Sequence, residues 1–319
     1  MMKPVAITLG DVNGIGPEVA LKAVFRSRFP AGSRFVFIGP AENLREQARA
    51  LGLPDPLRSC RATCLDTGAV PFRPGQVRAD AARAAAEAIR LAVEGCLAGD
   101  FAAMVTAPIS KEGFHKAGID FPGHTEMLAE LTGTRRYGMM LIGGGLRVML
   151  VTRHLPLAEV PAAVTRRAVG EAIELTAQAL AWLGTENRRV AVCGLNPHAG
   201  DGGVLGDEEQ RVIAPAVRAA RRKGWAVEGP VPADTVFHRA LRGGYGAVVA
   251  MYHDQGLAPL KMAGFDEGIN LTLGLPIVRT SPDHGTAYDL AGKGVASARS
   301  MRNALRLAIK LAARPAPWK

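Results

Sequence analysis

The sequence has little of what marks a secreted, membrane-embedded or fibrous protein. Its 319 residues include four cysteines, too few for a disulfide framework at this length, and a lone C-x3-C pair lacks the second pair of a structural zinc site. No apolar run reaches the roughly 18 residues that a membrane span requires. The apolar run near the N-terminus is too short for a secretory signal. The composition therefore predicts a globular, cytoplasmic protein with no membrane partner.

Aromatic residues are also scarce, at 5%. Their scarcity affects how the net charge of +10, from 39 Lys+Arg against 29 Asp+Glu, is interpreted. A nucleic-acid surface combines clustered basic residues with stacking aromatic side chains. Here the basic residues are spread along the chain in short clusters such as 221–223, with no aromatic residues interleaved. The charge therefore predicts no nucleic-acid partner and favours attraction of an anionic small molecule.

Short apolar runs alternate with longer helical patterns, which predicts an α/β fold with a mixed, mostly parallel sheet. Gly143–Gly145 separates two apolar runs and predicts an antiparallel hairpin. The length exceeds one ordinary domain, so we expect two lobes sharing a cleft. The boundaries predicted are 1–133 plus 292–319 for the first lobe and 134–291 for the second, with the C-terminal helix on the first lobe.

Three histidines, His154, His198 and His253, each follow an apolar run that is typical of a strand. A single histidine in such a place is more often structural, but three in equivalent places favour a metal site, because imidazole is the commonest metal ligand. The fold, or a neighbouring subunit, must bring them together.

Two further groups predict an anion site. Residues 123–126, GHTE, open a helical pattern whose N-terminal N–H groups favour an anion, although simple capping by Thr125 or His124 explains the same residues. Lys261, Asn270 and Arg279 lie at intervals of nine in an apolar segment, where buried cations need partners. Either a bound phosphate or carboxylate, or internal salt bridges to nearby aspartates, would supply them.

The strand-to-helix loop at residues 10–18, GDVNGIGPE, is not the G-x-G-x-x-G dinucleotide fingerprint. The sequence therefore assigns no residue to nucleotide binding.

Long ordered motifs spread over nearly the whole chain resemble the 4-hydroxythreonine-4-phosphate dehydrogenase family. The motifs are VTAPISKEGFHKAGIDFPGHTEMLAE (105–130), TRHLP (152–156), GLNPHAGDGG (194–203), GPVPADTVF (229–237) and AMYHDQGLAPLKMAGFDEGINLTLGLPIVRTSPDHGTAYDLAG (250–292).

The resemblance implies NAD(P)-dependent oxidation of 4-phosphooxy-L-threonine to 2-amino-3-oxo-4-phosphooxybutanoate, which decarboxylates to 3-amino-2-oxopropyl phosphate in pyridoxal 5'-phosphate biosynthesis. It implies an isocitrate-dehydrogenase-like homodimer, with the dimer interface and most site residues in the second lobe. One divalent metal ion (zinc, magnesium or cobalt) would be shared between protomers. Carried across by motif, the metal ligands are His154, His198 and His253, and the substrate contacts are His124, Thr125, Lys261, Asn270 and Arg279. Lys261, Asp234 and a metal-bound water are the candidate proton acceptors.

Three alternative functions accompany this expectation. Relatives on the same scaffold oxidise 4-phospho-D-threonate or 4-phospho-D-erythronate, and the GHTE motif is compatible with these phosphorylated acids. It argues against the relatives that oxidise dihydrodiol dicarboxylates, which carry no phosphate. A three-histidine metal hydrolase without a nucleotide is the alternative from another class.

The chain departs from the family pattern at two places. Val12-Asn13 stands where the family pattern leads us to expect a proline-alanine pair. Asp266-Glu267 stands where the family more usually has basic or small residues.

Overall fold

The computed structural model describes residues 3–318. Its strands are β1 (Val5–Thr8), β2 (Phe35–Gly39), β3 (Ala62–Asp66), β4 (Ala103–Thr106), β5 (Gly138–Gly143), β6 (Leu146–Leu150), β7 (Val190–Cys193), β8 (Val227–Val231), β9 (Ala247–Ala250), β10 (Ile269–Leu273) and β11 (Arg279–Pro282). Its α-helices are α1 (Gly16–Phe25), α2 (Ala41–Ala50), α3 (Ala79–Ala98), α4 (Lys111–Lys116), α5 (His124–Leu131), α6 (Val160–Ala163), α7 (Arg166–Leu183), α8 (Ala214–Arg222), α9 (Ala233–Leu241), α10 (His253–Gly264) and α11 (Arg299–Ala312). The predicted α/β class is confirmed.

The first compact unit comprises the residues up to Arg135 together with Leu275–Ala316. Its strands pair in the order β3-β2-β1-β4-β11, and each pair is parallel. Helix α3 packs against β1, β2 and β4 through a buried face made largely of alanine, which lets its backbone lie close to the sheet. Helix α11 packs on β11, β4 and α1. Parallel strands place their carboxyl ends at one edge of the sheet, where ligands of such sheets usually bind.

The second compact unit comprises Arg136–Gly274 and the residues from Pro317 onward. Its strands pair in the order β10-β5-β6-β9-β7-β8. The pairs β10-β5 and β5-β6 are antiparallel, and β6-β9, β9-β7 and β7-β8 are parallel. The β5-β6 pair is the predicted hairpin, and its turn residues Gly144 and Gly145 have φ values of 55° and 84°, which glycine adopts without strain.

The chain returns to the first unit earlier than the sequence pattern suggests, while the first division, after Arg135, is within two residues of the predicted one. The sequence places the return to the first lobe at residue 292, near a pair of glycines, whereas the structure places it at Leu275. Residues 275–291 belong to the first unit because β11 pairs with β4 in parallel register, Arg279 opposite Met104. None of the helices among residues 3–318 combines the length and the apolar character that crossing a membrane requires.

Candidate functional site

Two of the three predicted metal-ligating histidines lie next to each other in the second unit. Strands β6 and β9 are parallel neighbours with Leu150 opposite Ala250, so the segments that follow them leave the sheet side by side. His154 lies four residues beyond the end of β6, and His253 lies three residues beyond the end of β9. Their ring centroids are 5.6 Å apart, with an angle of 41° between the ring planes. The pairing of the strands thus brings together two residues that are 99 positions apart. The same two segments are joined by a hydrogen bond from Thr152 Oγ1 to the carbonyl of Met251, also 99 positions away.

His253 begins helix α10, and its orientation is set by the next residue. Its Nδ1 lies 2.6 Å from Oδ1 of Asp254, and the imidazole side chain is 35% exposed. With Nδ1–H donating to the carboxylate, the lone pair of Nε2 is left available. A carboxylate that holds the far nitrogen of an imidazole is the usual support of a metal-binding histidine.

A cavity of about 320 Å³ adjoins this pair within the second unit. Its lining residues are Arg153, His154, Leu155, Leu157, Val160, Tyr252, His253 and Asp254. Leu157 is 69% exposed although it is large and apolar. The cavity therefore combines the two imidazoles with a cation and an apolar wall, which suits a small ligand that has both polar and apolar parts.

His198 is presented by an irregular loop after β7 and is exposed. No three histidine, cysteine or carboxylate side chains within residues 3–318 are close enough together to bind one ion. One chain therefore brings His154 and His253 together but does not add His198 to them.

The loop of His198 adopts a backbone conformation that L-residues rarely take. Residues 198–203 all have positive φ, including 52° at His198, 55° at Ala199 and 42° at Asp201. Each non-glycine residue in this region costs on the order of 1 kcal/mol or more, and such residues persist only where the surroundings hold them. Strain of this kind is typical of functional loops.

In the first unit, Arg279 is the buried cation that the sequence predicts. It begins β11, is 2% exposed, and donates from Nη2 and Nε to Thr106 Oγ1 at 2.6 and 3.2 Å. Thr106 ends β4, the strand next to β11. Burial lowers the pKa of Arg279 to about 9, while the negative charge of Glu126 opposes that shift. The guanidinium thus keeps its charge at neutral pH in a largely dehydrated place.

His124 and Thr125 lie at the start of α5, which no side chain caps. Burial, and secondly the positive charge of Arg279, holds the pKa of His124 well below its ordinary 6.5, so the ring is neutral at pH 7. Its Nε2 is buried, with no hydrogen-bond partner among residues 3–318. Thr125 is also buried. A cation, a neutral imidazole and a helix N-terminus close together can hold a phosphate or carboxylate.

The other predicted site residues belong to the second unit. Lys261 lies on α10 with Nζ 5.8 Å from the centre of the Phe265 ring. Asn270 lies on β10, and its Oδ1 is buried without a partner in the described part of the chain. Asp234 lies exposed in the first turn of α9.

The sequence pattern does not single out the buried carboxylates, among them Asp11 and Glu209. Asp11, in the loop after β1, is 1% exposed, and Glu209, near the loop of His198, is 3% exposed. The available signal was the Gly-Asp step at the end of an apolar strand for Asp11, and the acidic pair Glu208-Glu209 close behind the glycine-rich loop. Neither signal distinguishes a buried carboxylate from a solvated one.

Comparison with known proteins gives full-length matches. A 4-hydroxythreonine-4-phosphate dehydrogenase of Geobacter metallireducens is 47% identical over 97% of this chain and 95% of its own. A D-threonate 4-phosphate dehydrogenase of Cupriavidus necator is 44% identical over 98% of each chain. The crystal structure of 4-hydroxythreonine-4-phosphate dehydrogenase from Klebsiella pneumoniae has a TM-score of 0.84 at 41% identity, covering 97% of this chain and 99% of that one.

The model of one protein family, described as Pyridoxal phosphate biosynthetic protein PdxA, matches residues 32–308. This match spans both compact units and includes the motifs that hold the predicted site residues. The resemblance read from the sequence is confirmed: the chain belongs to the pyridoxal phosphate biosynthetic protein PdxA family.

Proposed function

We propose that the protein is an NAD- or NADP-dependent dehydrogenase that oxidises 4-phosphooxy-L-threonine at its secondary hydroxyl. The product, 2-amino-3-oxo-4-phosphooxybutanoate, loses CO2 to give 3-amino-2-oxopropyl phosphate for pyridoxal 5'-phosphate biosynthesis. The relatives named for this activity cover nearly the whole chain, which supports an oxidoreductase acting on a phosphorylated small molecule. The observation that carries the proposal is the imidazole pair His154–His253 in a family of dehydrogenases.

The imidazole pair fits a divalent metal ion. Two imidazoles bound to one tetrahedral ion at about 2.0–2.1 Å have ring centroids roughly 5 Å apart, close to the observed 5.6 Å. Imidazole donors suit zinc better than magnesium, with cobalt a common substitute. Because His198 of the same chain does not join the pair, we propose that a homodimer completes the site with His198 of a second protomer.

When bound, the ion would polarise the substrate's hydroxyl and carboxylate oxygens, and the nicotinamide would accept the hydride. The chain's own contribution is orientation. Asp254 keeps His253 in the tautomer that presents Nε2. Leu155 and Leu157 give the cavity beside the pair an apolar wall.

We assign the phosphate end of the substrate to Arg279, His124 and Thr125. Arg279 supplies a charged fork, and the neutral His124 supplies a hydrogen bond from Nε2 without adding a second charge beside the guanidinium. Because the phosphate does not itself react, holding it turns binding energy into orientation of the neighbouring carbon that is oxidised. Lys261 and Asn270 remain proposed substrate contacts from the resemblance, and Lys261, Asp234 or a water molecule remains the proposed acceptor of the hydroxyl proton.

A second candidate is dehydrogenation of 4-phospho-D-threonate, because a relative named for that activity is 44% identical over nearly the whole chain. The two substrates carry the same phosphate and differ at one carbon, where the amine of one is a hydroxyl of the other. The phosphate-binding residues named above serve both equally.

The test is a side-by-side measurement of kcat/KM for the two substrates, with NAD and with NADP, in protein loaded with zinc, cobalt or magnesium. We expect reduced nicotinamide to form with 4-phosphooxy-L-threonine at least 10-fold more efficiently than with 4-phospho-D-threonate. The reverse ratio would select the second candidate. Release of inorganic phosphate without formation of reduced nicotinamide would contradict the dehydrogenase assignment and indicate a metal hydrolase.

A further inference from the structure

The loop that presents His198 is closed over a buried carboxylate, that of Glu209. Oε1 of Glu209 accepts hydrogen bonds from the backbone N–H groups of Leu195 and Asn196 at 2.6 and 2.8 Å. Oε2 accepts from the side-chain amide of Asn196 at 3.0 Å. Glu209 is 3% exposed, so these donors replace water around the carboxylate. Three hydrogen bonds thus fix the two residues from which the chain turns towards His198.

The loop packs closely against this carboxylate and against itself. A Cβ added to Gly200 would lie 2.6 Å from Oε2 of Glu209, and one added to Gly194 would lie 2.7 Å from Cα of Ala199. Gly200 has φ 82°, in the left-handed run that includes His198. The left-handed turn therefore wraps around Glu209, and the carboxylate supports the strained conformation of the histidine.

The neighbours of Glu209 hold the same loop at other points. Glu208 Oε2 accepts from Asn196 Nδ2 at 2.7 Å, and Gln210 Nε2 donates to the carbonyl of Gly202 at 2.6 Å. Glu209 begins a π-helical turn, Glu209–Ile213, that leads into α8. A π turn directs successive side chains differently from an α-helix, and such turns are frequent at functional sites. Here three successive residues contact the loop.

We propose that Glu209 is a positioning residue for His198: it holds the loop in the conformation that directs the imidazole to the metal ion. The inference rests on the proposed function, since it takes His198 to be a metal ligand. Glutamine does not reproduce these bonds. Its amide NH2 would face either the backbone N–H groups or Asn196 Nδ2, and turning the Asn196 amide over would break the bond that Nδ2 donates to Glu208. Supports of metal ligands of this kind change metal affinity by about 10- to 100-fold.

The test compares the zinc affinity of the purified, intact protein by competition with a chromophoric chelator. The variants are Glu209→Gln, His198→Ala and the double variant, with Glu171→Gln as control. Glu171 is a partly exposed carboxylate of the same unit that pairs with Arg167 on the surface of α7. We expect about 10- to 100-fold weaker binding for Glu209→Gln, a loss at least as large for His198→Ala, and no change for the control.

The double variant separates positioning from a general structural effect. If Glu209 acts through His198, then Glu209→Gln adds no further loss in the His198→Ala background. The visible spectrum of the cobalt-loaded protein should change in Glu209→Gln, because it reports the ligand geometry directly. Gly200→Ala, which retains the carboxyl group but places a methyl group against its Oε2, should reproduce both effects. Far-UV circular dichroism of each variant establishes that it is folded.

The outcomes are distinguishable. Unchanged zinc affinity in His198→Ala would overturn the proposed ligand set, and the inference with it. A loss in His198→Ala with wild-type affinity and spectrum in Glu209→Gln would overturn the inference alone. An equal loss from Glu209→Gln in both backgrounds would also overturn it, since the carboxylate would then act without His198.

Discussion

The phenol of Tyr288 donates a 2.6 Å hydrogen bond to Oδ2 of Asp11, a carboxylate that is 1% exposed. Oδ1 of Asp11 accepts from the backbone N–H of Asn13 at 2.9 Å. The bond ties the loop after β1 to the segment after β11, across 277 positions of sequence within the first unit. Burial is the largest influence on Asp11 and raises its pKa above the ordinary 3.8, while these two hydrogen bonds lower it. Tyr288 thus supports the ionised form of a carboxylate that water does not reach.

Tyr288→Phe should therefore destabilise the protein most at neutral and higher pH. The pKa of Asp11 in the folded state already lies above its unfolded value, so ionised Asp11 costs stability, and that cost is fully present above the folded pKa. Removing the phenol raises the folded pKa further and increases the cost. We expect a loss of about 1–3 kcal/mol in the free energy of unfolding at pH 8, with a smaller loss at acidic pH, as the pH falls through the folded pKa of Asp11.

Urea unfolding at pH 8 and at a series of lower pH values measures this loss. Tyr137→Phe is the control, because the Tyr137 ring packs under Arg153 in the second unit and phenylalanine keeps that contact. A loss that does not change over the whole pH series would show that the phenol acts through packing and not through the charge of Asp11.

Arg279→Ala should raise KM for the phosphorylated substrate by about 10- to 100-fold, the range expected for losing hydrogen bonds to a charged group. The fork of Arg279 is buried beside His124, and both belong to the proposed phosphate site. Arg279→Lys keeps the charge without the fork and should fall between the variant and the wild type. Steady-state kinetics with the reduced nicotinamide signal give KM and kcat separately.

Arg167→Ala is the matched control, because that arginine is 83% exposed on α7. Its KM should equal that of the wild type. An unchanged KM in a folded Arg279→Ala protein would assign Arg279 a structural role, with Thr106 as its partner.

The sequence predicts the elements well because their signals are local. The alternation of apolar runs and helical patterns reproduces the α/β class, and Gly143–Gly145 marks the β5-β6 hairpin. The division between the units is harder, because a turn signal such as Gly292 does not say which sheet the preceding strand joins. Residues 275–291 join the sheet of the first unit because β11 pairs in parallel with β4. That pairing joins residues far apart in the sequence, so no local signal indicates it.

The candidate site divides along the same line. Histidines after strands can be picked out from sequence, but their adjacency depends on the folded chain. The β6-β9 pairing brings His154 beside His253. Strand β7 is also a parallel neighbour of β9, yet the loop that follows β7 does not bring His198 to the pair. The burial of Arg279 follows from its apolar segment, whereas its partner Thr106, 173 residues away, does not. In the sequence, Glu209 looks like any acidic residue of a helix. Its burial depends on the left-handed loop that packs over it in the folded chain.

His253→Ala should abolish turnover mainly by loss of the metal ion, because the variant removes one of two adjacent imidazoles. Asp254→Asn should weaken metal binding by about 10-fold, the lower end expected for a carboxylate that supports a ligand, since Asp254 is largely exposed. The bound metal per chain, measured after dialysis, and the turnover rate are the two readouts. His238→Ala, which removes an exposed histidine of α9, should keep both at the wild-type level. Full activity of metal-depleted His253→Ala protein would contradict the assignment.

His124→Gln should make the protein less sensitive to acid. The pKa of His124 in the folded state lies well below its unfolded 6.5, so protonation favours the unfolded chain. The stability that depends on the neutral ring is complete above about pH 6.5 and is lost as the pH falls towards the folded pKa. Glutamine, which does not titrate, removes this part of the pH dependence. Between pH 7 and pH 5, the free energy of unfolding should therefore decline less in His124→Gln than in the wild type.

The same variant separates the charge of His124 from its hydrogen bond. The side-chain amide of glutamine can replace the donor at Nε2, so kcat/KM should be higher in His124→Gln than in His124→Ala. The pH profile of kcat/KM between 6 and 8 should be the same in the wild type and both variants, because the His124 ring is neutral over that range. His115→Gln is the control for stability, since that histidine is exposed at the end of α4. Wild-type acid sensitivity in His124→Gln would mean that another group is responsible for the pH dependence of stability. His284 is the first candidate, because burial also lowers its pKa.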